Sequence, residues 1–144
     1  MSNNFIEVKS EKPMTSVSLL DLNGREIYKG GNKKIPIKKI KNTSKIFSKY
    51  YDDISAIDIV GDIRHKGMLM GIELVSDKKK KTPIQTKKSI NKVFFEIGKK
   101  NGIYLRTLGN IVMLVPPLAI QEKELELLLK NTIKTIQAAK SQII

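Results

Sequence analysis

The run Asp62-Ile-Arg-His-Lys-Gly-Met-Leu-Met-Gly-Ile-Glu-Leu-Val75, read with Tyr104-Leu-Arg-Thr-Leu-Gly-Asn-Ile-Val-Met-Leu-Val-Pro-Pro117, decides how this chain folds. Each stretch holds two apolar runs joined at a glycine-containing reversal, the layout of an antiparallel strand pair. In the first, Ile57–Arg64 alternates imperfectly, whereas Gly67–Val75 is almost continuously apolar, as a strand with neighbours on both sides would be. Gly71 inside that run predicts a bulge or a close backbone approach. In the second, strands over Ile103–Arg106 and Ile111–Val115 are joined by Thr107-Leu-Gly-Asn110, and Pro116-Pro117 ends the sheet.

Helical periodicity fills the segments around these pairs. Thr86 or Ser89 can cap a helix running to Lys100, with Ile90, Val93, Phe94 and Ile97 as its apolar stripe. Asn101-Gly102 supplies a left-handed C-terminal cap. A last helix from about Gln121 to Ala139 carries Leu125, Leu128, Leu129, Ile133 and Ile136 at core spacing, with Gln121 and Glu124 as a weak capping box. Pro36 can open an earlier helix reaching about Tyr51, with Ile37, Ile40, Phe47 and Tyr51 near one face; a start at Thr43 or Ser44 fits equally well.

Upstream, Asn23-Gly24 between two short apolar runs predicts a hairpin over Ser16–Gly30, and Gly30–Lys34 reads as a basic linker. The predicted order is therefore hairpin-α-ββ-α-ββ-α. It is an α+β fold in which helices pack on one face of a small, mostly antiparallel sheet. Residues 1–31 form an N-terminal tail and hairpin and residues 32–144 a small domain, together one folded unit.

The bulk properties narrow the function. A chain of 144 residues suits one domain, and without cysteine it can build neither a disulfide framework nor a thiolate metal site. No apolar run approaches the roughly 20 residues needed to span a bilayer, and the first residues lack a signal-peptide layout, so a soluble cytoplasmic protein is expected. The net charge of +13 invites a nucleic-acid reading. Yet 24 of the 27 basic residues are lysine and three are arginine: Arg25, Arg64 and Arg106. Lysine is a hydrated point charge, arginine the bidentate reader of phosphate and base edges. No aromatic residues interleave Lys33-Lys34, Lys38-Lys39 or Lys78–Lys81 as they do in single-strand binders. Solvated surface is the simpler account.

Few residues could carry chemistry. Arg106, at a strand end beside a glycine turn, can present a planar fork to a carboxylate; the alternative is pairing with a nearby acid or solvation. Arg64 and Glu73 are placed for a structural cross-strand ion pair. His65, the one histidine, sits in a turn with no carboxylate or nucleophile at a useful spacing and reads as a surface residue. There is no metal-ligand cluster, nucleophile elbow or GxxxxGK phosphate loop.

The layout of Asp62-Ile-Arg64, Gly71-Ile-Glu73 and Tyr104–Pro117 resembles the C-terminal small domain of class III aminotransferases, which use pyridoxal phosphate (PLP). Within that class it is most similar to the adenosylmethionine–8-amino-7-oxononanoate aminotransferases of biotin synthesis. Asp21, Gly24, Arg25 and Tyr28 fit the family's early hairpin, with Lys29 where an acid is usual, and Lys12-Pro-Met-Thr-Ser16 is faintly similar to its entry motif. The resemblance implies that Arg106 binds the carboxylate of the keto substrate, and that the parent reaction moves an amino group from S-adenosylmethionine through PLP.

It also implies a large cofactor-binding domain between hairpin and C-terminal block, where this sequence has only Gly30–Lys41. Lys29-Gly-Gly31 echoes the Schiff-base lysine motif, Ser-Lys-Gly-x-Thr-Gly-Gly, without its serine or threonine. The acidic run for the pyridine nitrogen and the glycine-rich phosphate segment are absent too. The expectation is a truncated form that binds no PLP and does not transaminate alone, with no catalytic residue of its own. The alternative is a non-catalytic module that assembles with a separate large-domain chain or as a homodimer; a nucleic-acid role is the least favoured.

Overall fold

The computed structural model describes residues 5–6, 17–20, 26–30 and 35–144. The chain divides into two compact units, residues 1–39 and 40–144.

The first unit contains two strand pairs. β1 (Phe5–Ile6) pairs antiparallel with β4 (Ile35–Pro36). β2 (Val17–Leu20) pairs antiparallel with β3 (Glu26–Gly30), the two arms of the expected hairpin. Its Asn23-Gly24 turn, with Asp21 and Arg25, lies outside the described residues, as does Lys12–Ser16.

From Ile37 the chain runs along α1 (Ile37–Lys49), most of which belongs to the second unit, into a short α2 (Tyr51–Ser55). The single helix expected from Pro36 to Tyr51 breaks at Tyr50, and Tyr51 is exposed rather than on the apolar face. Next come β5 (Val60–Lys66), β6 (Leu69–Asp77) and a two-residue β7 (Thr82–Pro83). Helix α3 (Ile90–Lys100) precedes β8 (Arg106–Leu108) and β9 (Ile111–Leu114), and α4 (Glu122–Ile143) closes the unit.

The main sheet runs β5-β6-β9-β8, all antiparallel, with β7 against the far end of β6. β6 is central, as its apolar run required. Its inward residues Met70, Ile72 and Leu74 are fully buried and form one core with Val112 and Leu114 of β9, Phe94 of α3, and Leu125, Leu129 and Ile136 of α4. The fold is α+β, as the sequence predicted.

Two details depart from expectation. Gly71 sits in unbroken register between Arg64 and Met113, and the bulge falls instead beside Gly61, between Val60 and Asp62. There a Cβ would lie 2.6 Å from Val75 Cγ1. The strand predicted over Ile103–Arg106 begins only at Arg106, and the reversal is the two-residue Gly109-Asn110. Gly109 has φ +57° and Asn110 a negative φ, the pattern of a type II′ hairpin turn. Gly67, at φ +60°, plays the same part between β5 and β6.

Candidate functional site

The cross-strand register places Arg64, Gly71, Met113 and Arg106 in one row across the four strands. A second row on the same face holds Asp62, Glu73, Ile111 and Leu108. This is the face away from the helices, because the alternate residues Ile63, Ile72 and Val112 belong to the core.

Arg106 opens β8 rather than ending the preceding strand, three residues from Gly109. Its side chain is exposed, and no carboxylate lies within 4 Å of it among the described residues. Its fork is therefore not occupied by a described acid. Three apolar side chains stand exposed nearby in sequence: Tyr104, Leu108 and Val115. Tyr104 makes an edge-on contact with Phe95 of α3, ring centroids 5.6 Å apart.

Arg64 behaves differently. Its Nε donates to Asp62 Oδ2 at 3.0 Å, while Glu73 Oε2 lies 3.9 Å from Nη2. The expected Arg64–Glu73 pair is therefore the longer of two contacts, and Asp62 is the closer partner. The Arg64 hydrogen bond holds the Asp62 carboxyl below its usual pKa. Arg64 is well exposed and Asp62 about one-third so, a solvated pair whose contribution to stability is small. Gly71 leaves a small cavity of about 30 Å³ here, lined by Asp62, Arg64, Glu73 and Ile111.

His65 lies on β5 rather than in a turn. It is half-buried, its ring 4.7 Å from that of Phe47, and Nε2–H donates to the Gly67 carbonyl at 2.8 Å. That is a packing role. The surface position expected from sequence is corrected accordingly.

The opposite face of β8 carries a feature that spacing did not reveal. Thr107 points inward, and its backbone N–H donates to Asn91 Oδ1 in the first turn of α3 at 3.1 Å. A cleft of about 300 Å³ opens there, lined by residues that include Thr86, Lys88, Ser89, Asn91 and Thr107. The only sequence signal was Asn91 itself, a residue that favours caps and turns over helix interiors.

A PLP cofactor needs a lysine for its aldehyde, an acid facing the pyridine nitrogen and a cradle for its phosphate. The larger cleft has Lys88 but no carboxylate. The smaller has Asp62 and Glu73 but no lysine. Neither cavity fits the cofactor, so no step through it is derived for these residues. Among the described residues no group of His, Cys, Asp and Glu could hold a metal ion, and no helix is long and apolar enough to cross a membrane.

An antiparallel sheet backed by helices, in an α+β arrangement, is the fold this chain shares with aminotransferases of known structure. The chain belongs to the class III aminotransferase family, whose model matches residues 32–136. It is 39% identical over 89 residues to the adenosylmethionine-8-amino-7-oxononanoate aminotransferase of Methanocaldococcus jannaschii, covering 62% of this chain and 19% of that one. The Geobacter sulfurreducens enzyme of the same name is 31% identical over 98 residues, covering 68% and 22%. The crystal structure of the M. jannaschii enzyme superposes with a TM-score of 0.66 at 36% identity, over 71% of this chain and 23% of that chain. An omega transaminase from Pseudomonas jessenii, at 20% identity and a TM-score of 0.66, shares the fold. The chain thus spans about a fifth of the length of the curated relatives it matches.

Proposed function

We propose that this chain is the substrate-gripping lobe of an aminotransferase of the adenosylmethionine–8-amino-7-oxononanoate type, acting in the cytoplasm. In the complete reaction an amino group passes from S-adenosylmethionine to the keto-amino acid, with PLP as carrier. Arg106 holds the substrate carboxylate through a bidentate fork and so fixes the distance of the keto carbon from the chemistry. The observation that supports this is an exposed Arg106 with no described acid beside it, within the stretch that matches the family.

The 144 residues alone do not transaminate in this reading. They carry no Ser-Lys-Gly-x-Thr-Gly-Gly motif, and neither cavity joins a lysine to an acid. The test is PLP titration followed by borohydride reduction and intact-mass measurement. A stoichiometric covalent adduct at one lysine would refute an inactive lobe; the expected result is no such adduct.

A second reading has one observation in its favour. Tyr104, Leu108 and Val115 are 60–70% exposed around Arg106. Such apolar exposure suits a surface that another chain covers, either a separate large-domain chain or a second copy. Size-exclusion chromatography of this chain alone, and mixed with a large-domain fragment of the M. jannaschii relative, tests it. Elution as an unassociated monomer in both runs would dismiss the module.

A further inference from the structure

We propose that the cleft at the N-terminus of α3 is a binding site for a phosphate monoester, separate from the Arg106 face. The two lie on opposite sides of β8, since Arg106 and Thr107 alternate across the strand.

Several polar groups around this cleft keep a donor to offer. The backbone N–H groups of Ile90 and Asn91 open an 11-residue helix, have no partner among the described residues and sit at the positive end of its dipole. Ser89 Oγ accepts the Lys92 N–H, and Thr86 Oγ1 accepts the Lys88 N–H, so both hydroxyl protons remain free. Asn91 Oδ1 is occupied by the Thr107 N–H, which leaves its amide N–H₂ as the available end. Lys88 adds a cation, and no carboxylate lines the space.

The second observation is independent of the helix. Thr107 is only 6% exposed, lines the cleft, and its hydroxyl has no hydrogen-bond partner among the described residues. A buried hydroxyl without a partner is rare in folded proteins and calls for a missing group. The hydroxyl itself has almost no exposed surface, so an acceptor seated in the cleft would reach it through a turn of the Thr107 side chain.

Donors of this number and one cation suit a group with several acceptor oxygens. A phosphate has three to offer, a carboxylate two. A volume of about 300 Å³ exceeds that of the phosphate alone, so the remainder of a small metabolite fits as well.

The test is a titration of the 15N-labelled full chain with inorganic phosphate, with acetate as control, at constant ionic strength. The proposal expects saturable shifts confined to the amides of residues 89–92 and Thr107, stronger for phosphate than for acetate. Thr107→Val, which removes the hydroxyl and keeps the shape, weakens binding about tenfold. Lys88→Gln, an exposed change that leaves the fold alone, does the same. Shifts spread evenly over the lysines, no saturation, an equal response to acetate, or undiminished binding by Lys88→Gln would each overturn it.

Discussion

Asn91 Oδ1 accepts the backbone N–H of Thr107 at 3.1 Å, so the first turn of α3 holds strand β8 one residue from Arg106. β8 is an edge strand, with β9 on one side only. The strand that carries Arg106 is therefore tied to a side chain 15 residues upstream of that arginine.

Asn91→Ala leaves the part-buried Thr107 N–H without its acceptor and costs about 1–3 kcal/mol. Urea denaturation measures the loss. Amide exchange adds a more specific readout: the Thr107 N–H is expected to exchange faster, while Ile72 in the central strand changes only as much as global stability does.

Gly98→Ala tests the packing of the α3 exit. A Cβ there would lie 2.9 Å from the Ile103 carbonyl oxygen, which is backbone and cannot swing aside. The chain also turns back through an Ile103 N–H to Gly98 carbonyl bond of 2.9 Å. The expected cost is about 1–3 kcal/mol, the range for overpacking, even though alanine is the better helix former. A more stable variant in thermal melts would show that the turn simply relaxes.

The same turn is clamped to α4. Asn101 Nδ2 donates to Thr135 Oγ1 at 2.9 Å, Thr135 Oγ1 donates to the Asn131 carbonyl at 2.7 Å, and Asn131 Nδ2 donates to the Asn101 carbonyl at 2.9 Å. Thr135→Val keeps the volume and strands the Asn101 amide, for a loss of about 1–3 kcal/mol. Thr135→Ser is expected to recover most of it. Denaturation midpoints of the two variants decide the matter.

Most of this architecture could be read in the residues. The core spacing along α4, the Ser89 cap and the centrality of β6 all follow from periodicity and cap chemistry, which act over a few residues. What failed depended on partners distant in sequence. Tyr104-Leu-Arg-Thr-Leu108 alternates well enough to start a strand at Ile103. In the structure, however, the Ile103 N–H is drawn to the Gly98 carbonyl at the end of α3, and pairing starts only at Arg106 opposite Met113. The bulge lies beside Gly61 rather than at Gly71, and the side chain that excludes a Cβ at Gly61 belongs to Val75, 14 residues away. Arg106 was visible as a candidate because its motif is local. The Thr107–Asn91 cleft was not, since a helix start and a strand whose contacting residues are 16 apart make it.

The Asp58–Lys140 pair gives the expected pH dependence. Lys140 Nζ donates to Asp58 Oδ2 at 2.7 Å, joining α4 to the turn before β5. That hydrogen bond and the lysine charge hold the Asp58 carboxyl below its usual pKa. A depressed carboxylate adds stability above the pKa of the unfolded chain, about 3.9, and loses it as pH falls through the lower folded value. Wild type is therefore expected to be slightly more stable than Asp58→Asn at pH 7, with the gap closing below about pH 4. A gap that is unchanged at pH 3 would remove the pair from the account.

The most direct test of the central claim asks whether Arg106 grips a substrate carboxylate. In a chimera, residues 56–136 of this chain replace the matching block of the M. jannaschii aminotransferase, and the KM for 8-amino-7-oxononanoate is measured with Arg106 and with Arg106→Lys. Losing a bidentate charged contact of about 1.5–3 kcal/mol predicts a KM raised roughly 10- to 100-fold. An active chimera whose KM is the same with either residue would contradict the account.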